Sequence, residues 1–63
     1  MKLYIVHLGA HVVIRNNNSW STTTVNEELR FEEKDIRQTS REQMVFFFNN
    51  SYYYVGIGDV SVI

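Results

Sequence analysis

The 63-residue chain contains no cysteine, no proline and only three glycines. Without cysteine it has neither disulfides nor thiolate zinc sites, and without proline no position is barred from a β-ladder. A net charge of −1 supplies no overall field that attracts nucleic acid or anionic lipid. No apolar stretch reaches the ~18 residues that a membrane span needs. These absences predict a protein of a reducing compartment, the cytoplasm, that does not enter membranes.

The length predicts a single small β-rich domain, residues 1–63. A domain of this size buries about 60% of the surface that its unfolded chain exposes. Its core alone rarely supplies more than about 3–5 kcal/mol, and small proteins add disulfides, a structural metal or oligomerisation. Disulfides are excluded here and no convincing metal site is present. We therefore expect a homo-oligomer, most simply a homodimer.

The first third of the chain is rich in β-branched and aromatic residues. Residues 2–15 have Gly9 at their centre. A type II′ turn at Gly9-Ala10 predicts a hairpin in which Val6 lies opposite Val13. The alternative is one long strand bent by a bulge at Gly9. Either interpretation makes this segment β.

Residues 16–19 are rich in asparagine and predict a loop. The polar segment at 20–25 predicts an edge strand, because threonine favours strands.

The next segment, 26–43, holds ten of the thirteen charged residues and fits two structures. Asn26 is a helix N-cap candidate, whereas Leu29 and Phe31 alternate with charged residues as in a strand. We predict a strand at about 28–33, then a turn or one helical turn around 34–42; the alternative is one short helix within 26–42.

The C-terminal third predicts a hairpin. Met44–Phe48 and Tyr52–Ile57 flank a short Asn-Asn-Ser loop. Glycines at 56 and 58 indicate a bend before a last strand at 60–63. Five to six short strands result, and strands without long crossovers pair antiparallel. The predicted fold is mainly β, a small antiparallel sheet or an SH3-sized barrel.

The predicted hairpin sets three phenylalanines, 46–48, opposite three tyrosines, 52–54. Because side chains alternate along a strand, aromatics occupy both faces of the hairpin. One face can line the core, and so short a chain has little to cover the other. Either the charged segment folds over that second face, or the tyrosines lie at the surface with hydrated hydroxyls, or the face is an interaction surface.

Trp20 stands in a polar setting, which is typical of an interface anchor or of a side chain that closes one end of the core. The charged segment predicts a solvated face of mixed sign around Glu32, Glu33 and Arg37. The candidate interface residues are Trp20, Phe46, Phe48, Tyr52, Tyr53, Tyr54, Glu32, Glu33 and Arg37.

Catalytic and metal-binding patterns are weak. His7 and His11 have the H-x-x-x-H spacing that zinc sites use on helices, but the residues around them favour strands. Carboxylate pairs such as Glu28 and Glu32 need an enclosed pocket for acid–base chemistry, which a domain this small rarely builds. We therefore predict no enzyme, no cofactor and no metal.

The sequence favours a protein-binding module that acts as a homo-oligomer on a larger protein. In style the chain is similar to small accessory proteins of phages and mobile elements, which suggests an inhibitor of a host enzyme or defence system. The alternative is nucleic-acid or small-ligand binding, with bases stacked on Tyr52 or Phe47 and charge from Arg15, Arg30 and Lys34. Nucleic acid is the less favoured partner because residues 44–63 contain no lysine or arginine among their aromatics.

Overall fold

The computed structural model describes residues 2–63, which form eight short strands and two single 3₁₀ turns. The 3₁₀ turns are Glu33–Asp35 and Ile57–Asp59. In chain order the strands are β1 Leu3–Val6, β2 His11–Asn16, β3 Ser19–Thr24, β4 Leu29–Glu32, β5 Ile36–Thr39, β6 Gln43–Phe48, β7 Ser51–Gly56 and β8 Val60–Val62. The mainly β class is thus confirmed, with eight strands in place of the five to six predicted.

The strands form two antiparallel sheets. One has three strands in the order β4-β1-β8, and the other has five in the order β3-β2-β7-β6-β5. All described strand pairs are antiparallel, as predicted. β3 is an edge strand, which was also predicted from its polar sequence.

The two sheets share one core. Tyr4, Val6 and Phe31 from the small sheet are buried, and Val12, Met44, Phe46 and Val55 come from the large one. The rings of Phe31 and Phe46 stack with centroids 4.4 Å apart and an interplanar angle of 8°. The side chain of Phe46 is fully buried. Aromatic contacts across the space between the sheets therefore form the centre of this small core.

The predicted C-terminal hairpin is confirmed by β6 and β7. Phe46 lies opposite Tyr53 and Phe47 opposite Tyr52. Asn49 and Asn50 form the two-residue turn and have φ values of 54° and 64°. Two successive positive φ values are typical of a type I′ turn, whose twist matches that of the flanking strands. Asparagine adopts this left-handed conformation more readily than most residues do.

The predicted hairpin within residues 2–15 is wrong. β1 pairs with β4 and β8, whereas β2 pairs with β3 and β7, so the two strands belong to different sheets. The turn runs from His7 to Ala10, whose amide donates to the His7 carbonyl at 3.3 Å. Gly9, with φ +86°, takes the third position of this turn and not the first central position of a II′ turn. The single bent strand is also wrong, because this turn separates the two strands.

In segment 26–43 the strand interpretation is confirmed, because β4 spans Leu29–Glu32. A 3₁₀ turn follows at once, and the Glu32 amide donates to the Asp35 carboxylate at 3.0 Å. The prediction of only a turn over 34–42 is wrong, because β5 lies within that range. β5 has no apolar alternation of its own, and it forms because β6 supplies a pairing partner, with a bulge at Arg37.

No helix in the described part of the chain has the length and apolar character needed to cross a membrane.

The stacked core generates a stability prediction. We expect Phe46→Ala to lower the free energy of unfolding by about 3–5 kcal/mol, because it removes a fully buried ring. The whole free energy of unfolding of a domain this small is little larger, so the variant should lack a cooperative unfolding transition in urea. Phe48→Ala is the matched control, since Phe48 lies on the same strand but is 47% exposed. Equal losses in the two variants would contradict the assigned core.

Candidate functional site

The face of the five-stranded sheet that points away from the core is called here the outer face. Strand alternation sends Val12 and Phe46 inward and their sequence neighbours outward. The outer face therefore carries polar residues on the β3 edge and aromatic residues at its centre. Its residues are Trp20, Thr22, Thr24, His11, Val13, Arg15, Tyr52, Tyr54, Gly56, Gln43, Val45, Phe47, Arg37 and Gln38.

Five of these residues form a line across the sheet, which we call the aromatic–arginine row: Trp20, Arg15, Tyr52, Phe47 and Arg37. Strand register creates it, because Arg15 of β2 lies opposite both Trp20 of β3 and Tyr52 of β7. Tyr52 in turn lies opposite Phe47 of β6. The row therefore contains one residue from each of the five strands.

Along this row the order is ring, cation, ring, ring, cation. The Arg15 guanidinium carbon lies 5.7 Å from the centroid of the Trp20 ring and 5.3 Å from that of Tyr52. The Tyr52 and Phe47 rings are 4.8 Å apart. At the other end, the Arg37 guanidinium carbon lies 5.4 Å from the Phe47 ring. The three guanidinium–ring distances lie within the range of cation–π attraction, and the ring–ring distance lies within that of aromatic pairs. Neighbouring side chains therefore restrain one another before any partner binds.

Backbone contacts fix Arg37 at its end of the row. Its Nη1 donates to the Lys34 carbonyl at 2.9 Å and to the Ile36 carbonyl at 3.3 Å. Arg37 is the extra residue of the β-bulge between Ile36, which packs against the core, and Gln38, which lies opposite Val45. None of the outer-face residues is Asp or Glu. The face therefore combines aromatic rings with two fixed positive charges and no compensating carboxylate.

Trp20 is the most exposed aromatic residue of the row, with 60% of its surface accessible. Its ring also lies 5.5 Å from that of Tyr54, one row further along the sheet. Beside them Val45 is only 4% exposed although it belongs to the outer face. Neighbouring outer-face side chains therefore cover the valine and form a continuous surface.

Three of the predicted aromatic interface residues lie away from the outer face. Phe46 is a core residue with no exposed surface, so its assignment to an interface is wrong. Tyr53 points inward and packs against the core, with its ring 5.2 Å from that of Phe31. Phe48 shares this inward side at the end of β6 and is 47% exposed, with its edge toward Phe31 at 6.0 Å. Alternation separates these side chains from Tyr52 and Tyr54.

The predicted charged face is divided. Arg37 belongs to the row, whereas Glu32 and Glu33 lie at the end of β4 and in the 3₁₀ turn. The Glu32 carboxylate lies 3.7 Å from the Lys34 ammonium, and both side chains are largely exposed. Exposed ion pairs of this kind contribute little to stability. Glu32 and Lys34 therefore belong to a solvated surface.

The two histidines are separated by the change of sheet. His7 Nε2 is hydrogen-bonded to the Ser61 hydroxyl at 2.5 Å, and His11 Nδ1 to the Thr24 hydroxyl at 3.3 Å. Within residues 2–63 no three metal-binding side chains gather into a potential ion site.

An open groove of about 230 Å³ lies beside β3 and the segment that follows it. Glu27 is the acidic residue in its lining, and no second titratable carboxylate or histidine of the described chain joins it there. Its lining residues are Ile14, Thr23, Thr24, Val25, Asn26, Glu27, Leu29 and Tyr53.

The sequence indicated Arg15 and Phe47 as binding residues only under the nucleic-acid alternative. Residues 44–63 contain no lysine or arginine, so it also predicted no basic neighbours for their aromatics. Arg15 and Arg37 reach them from β2 and β5 through the register of the sheet. Strand alternation placed Phe47 opposite Tyr52, and this signal was already available in the predicted hairpin.

No protein-family model, curated protein or solved structure matches this chain. Its function is therefore inferred from the geometry of its own residues.

The row generates a prediction about coupling. We expect a double-mutant cycle of Arg15→Ala and Tyr52→Leu to give a coupling of about 0.5–1 kcal/mol in the free energy of unfolding, the range of exposed cation–π pairs. Urea unfolding of the wild type, both single variants and the double variant measures it. The control cycle pairs Arg30→Ala with Tyr52→Leu, because Arg30 lies on the other sheet. Equal couplings in the two cycles would contradict the row.

Proposed function

We propose that this chain is a non-enzymatic protein-binding module whose contact surface is the aromatic–arginine row. One observation carries the proposal: exposed Trp20 and half-buried Tyr52 alternate with Arg15 on a face without carboxylates. Tryptophan, tyrosine and arginine are the residue types most enriched in binding hot spots.

The partner surface that fits this row combines apolar groups with acidic ones. The rings supply area that gains from desolvation, and the two guanidinium groups supply fixed donors for carboxylates. Because Arg15 and Arg37 are already restrained by rings and carbonyls, binding orders few additional side-chain torsions.

The proposal includes self-association, because the size argument still applies to a chain without disulfides. A binder this small acts on a larger protein by covering part of its surface. Inhibition of a host enzyme or defence system by a phage or mobile-element protein in the cytoplasm is the biological setting that we propose for it.

A second candidate is the binding of single-stranded nucleic acid on the same row. The observation that favours it is the contact of arginines with rings at two points of the row, since stacking platforms combine rings with charges that contact phosphates. Trp20 and Phe47 lie three strands apart, or about 14 Å at the usual strand spacing. That span offers stacking positions for only a few bases.

Selection from a random-peptide display library on the immobilised protein tests protein binding. We expect enrichment of peptides in which Asp or Glu flanks apolar residues. Trp20→Ala and Arg15→Ala should each weaken the binding of selected peptides about tenfold or more, because each removes a hot-spot side chain. Titration by fluorescence anisotropy measures the affinity.

Leu8→Ala is the matched control for this experiment. Leu8 is 64% exposed, but it lies in the turn between the two sheets and not on the outer face. Its removal should leave peptide affinity unchanged. Selected peptides that bind the Trp20→Ala and Arg15→Ala variants as tightly as the wild type would contradict the proposed contact surface.

Anisotropy with a labelled oligothymidine of about 12 nucleotides tests the second candidate. If both arginines contact phosphates, log K should fall with log salt at a slope of about −1.4, because each phosphate contact on a single strand contributes about −0.7. Arg15→Gln should weaken binding, whereas Arg30→Gln, an equal charge change on the other sheet, should not. Absence of binding at micromolar protein would eliminate this candidate.

A further inference from the structure

The four edge strands of the two sheets differ in how they resist pairing with another chain. β4 carries Arg30 and Glu32, β5 carries Arg37 with its bulge, and β8 is only three residues long. Charges, bulges and short length are the devices that protect natural edges. β3, with the sequence SWSTTT, has six residues, no charge, no proline and an unbroken register with β2. It is the one edge strand among the described residues without such protection.

The free backbone groups of β3 follow from its pairing with β2. Just after β3, the amide and the carbonyl of Val25 both point toward the chain that leads into β2. The amide donates to the Ala10 carbonyl at 2.9 Å, and the carbonyl accepts from the Gly9 amide at 2.8 Å. Hydrogen-bonding direction alternates along an antiparallel strand. Trp20, Thr22 and Thr24 therefore direct their amides and carbonyls to the open edge.

We propose that β3 pairs antiparallel with β3 of a second copy of this chain, about a two-fold axis at Thr22. This inference rests on the homo-oligomer in the proposed function and specifies its interface. In this register Thr22 lies opposite Thr22 of the second copy, and Trp20 lies opposite Thr24 of the second copy. Trp20, Thr22 and Thr24 all present free backbone groups to the open edge. Each pair of opposite residues therefore exchanges two N–H···O bonds, as in the hydrogen-bonded pairs of an antiparallel ladder.

The second copy is the occupant that this edge fits. Pairing about a two-fold axis at Thr22 sets residue 22 opposite its own counterpart, where a charge would meet a like charge. The strand has none, and threonine–threonine is a favourable cross-strand pair. An isologous interface uses the same strand twice and closes without forming a fibre.

The proposed pairing also extends the binding surface. A two-fold axis perpendicular to the sheet keeps both outer faces on one side of a ten-stranded sheet. The two aromatic–arginine rows then lie on one continuous face, on either side of the joined β3 strands. A partner that contacts both rows gains from the high effective concentration of the second contact.

The molar mass in solution, measured by light scattering behind a sizing column, tests self-association. We expect the wild type at about 100 µM to have twice the mass of one chain. Thr22→Lys should give the single-chain mass, because it sets two ammonium groups on the axis. Gln38→Lys, the same charge change on the outer face at the β5 edge, should leave the mass of the wild type unchanged.

The absence of cysteine allows a position-specific test. Thr22→Cys should form a disulfide-linked dimer under mild oxidation. The Cα atoms of residue 22 in the two copies form a hydrogen-bonded pair, and their separation of about 5.5 Å lies within disulfide range. Thr24→Cys should not, since its counterpart lies about 14 Å away in this register. Cross-linking at both positions at one rate would overturn the register.

A wild type with the mass of one chain would overturn the proposal, as would a dimer that persists in Thr22→Lys. Peptide binding to the aromatic–arginine row is measured separately. If Thr22→Lys has the single-chain mass and still binds one selected peptide per chain, the interface and the contact surface are both supported as distinct sites. A wild type that has the mass of one chain and still binds the selected peptides would overturn this inference alone. A dimer that binds no peptide through the row would overturn the proposed contact surface alone.

Discussion

Phe31 of β4 and Phe46 of β6 stack 4.4 Å apart, and this contact holds the three-stranded sheet against the five-stranded sheet. Tyr4 and Tyr53 pack around the pair, with ring centroids 5.9 Å from Phe46 and 5.2 Å from Phe31, respectively. A chain of 63 residues has room for only one such centre. This stack determines which strand faces point into the core and which are left to solvent.

The outer face is a consequence of that packing. With Phe46 turned inward, alternation turns Phe47 outward, and the register then sets Tyr52 beside it. No further layer formed by residues 2–63 covers them, and Arg15 and Arg37 lie against their rings instead. The stability of the core and the composition of the proposed contact surface are therefore linked through one hairpin.

Local signals were sufficient for some elements. Two aromatic runs separated by asparagines predict β6 and β7, and the alternation of Leu29 and Phe31 with charged residues predicts β4. They failed at Gly9, where a turn that leads to another sheet has the same composition as a hairpin turn. They also missed β5, a polar strand whose pairing depends on β6. In both cases the deciding partner is distant in the sequence.

The sequence by itself determined the mainly β class, the aromatic C-terminal hairpin and the uncharged character of β3, because strand propensity, turn chemistry and charge are local properties. The tertiary structure decided which aromatics are buried and which are exposed, since inward and outward positions exist only once a second sheet covers one face. It also decided that Arg15 and Arg37 meet aromatic rings from another part of the chain. Register between strands far apart in sequence joins Arg15 of the β2–β3 hairpin to Tyr52 of the β6–β7 hairpin and completes the row.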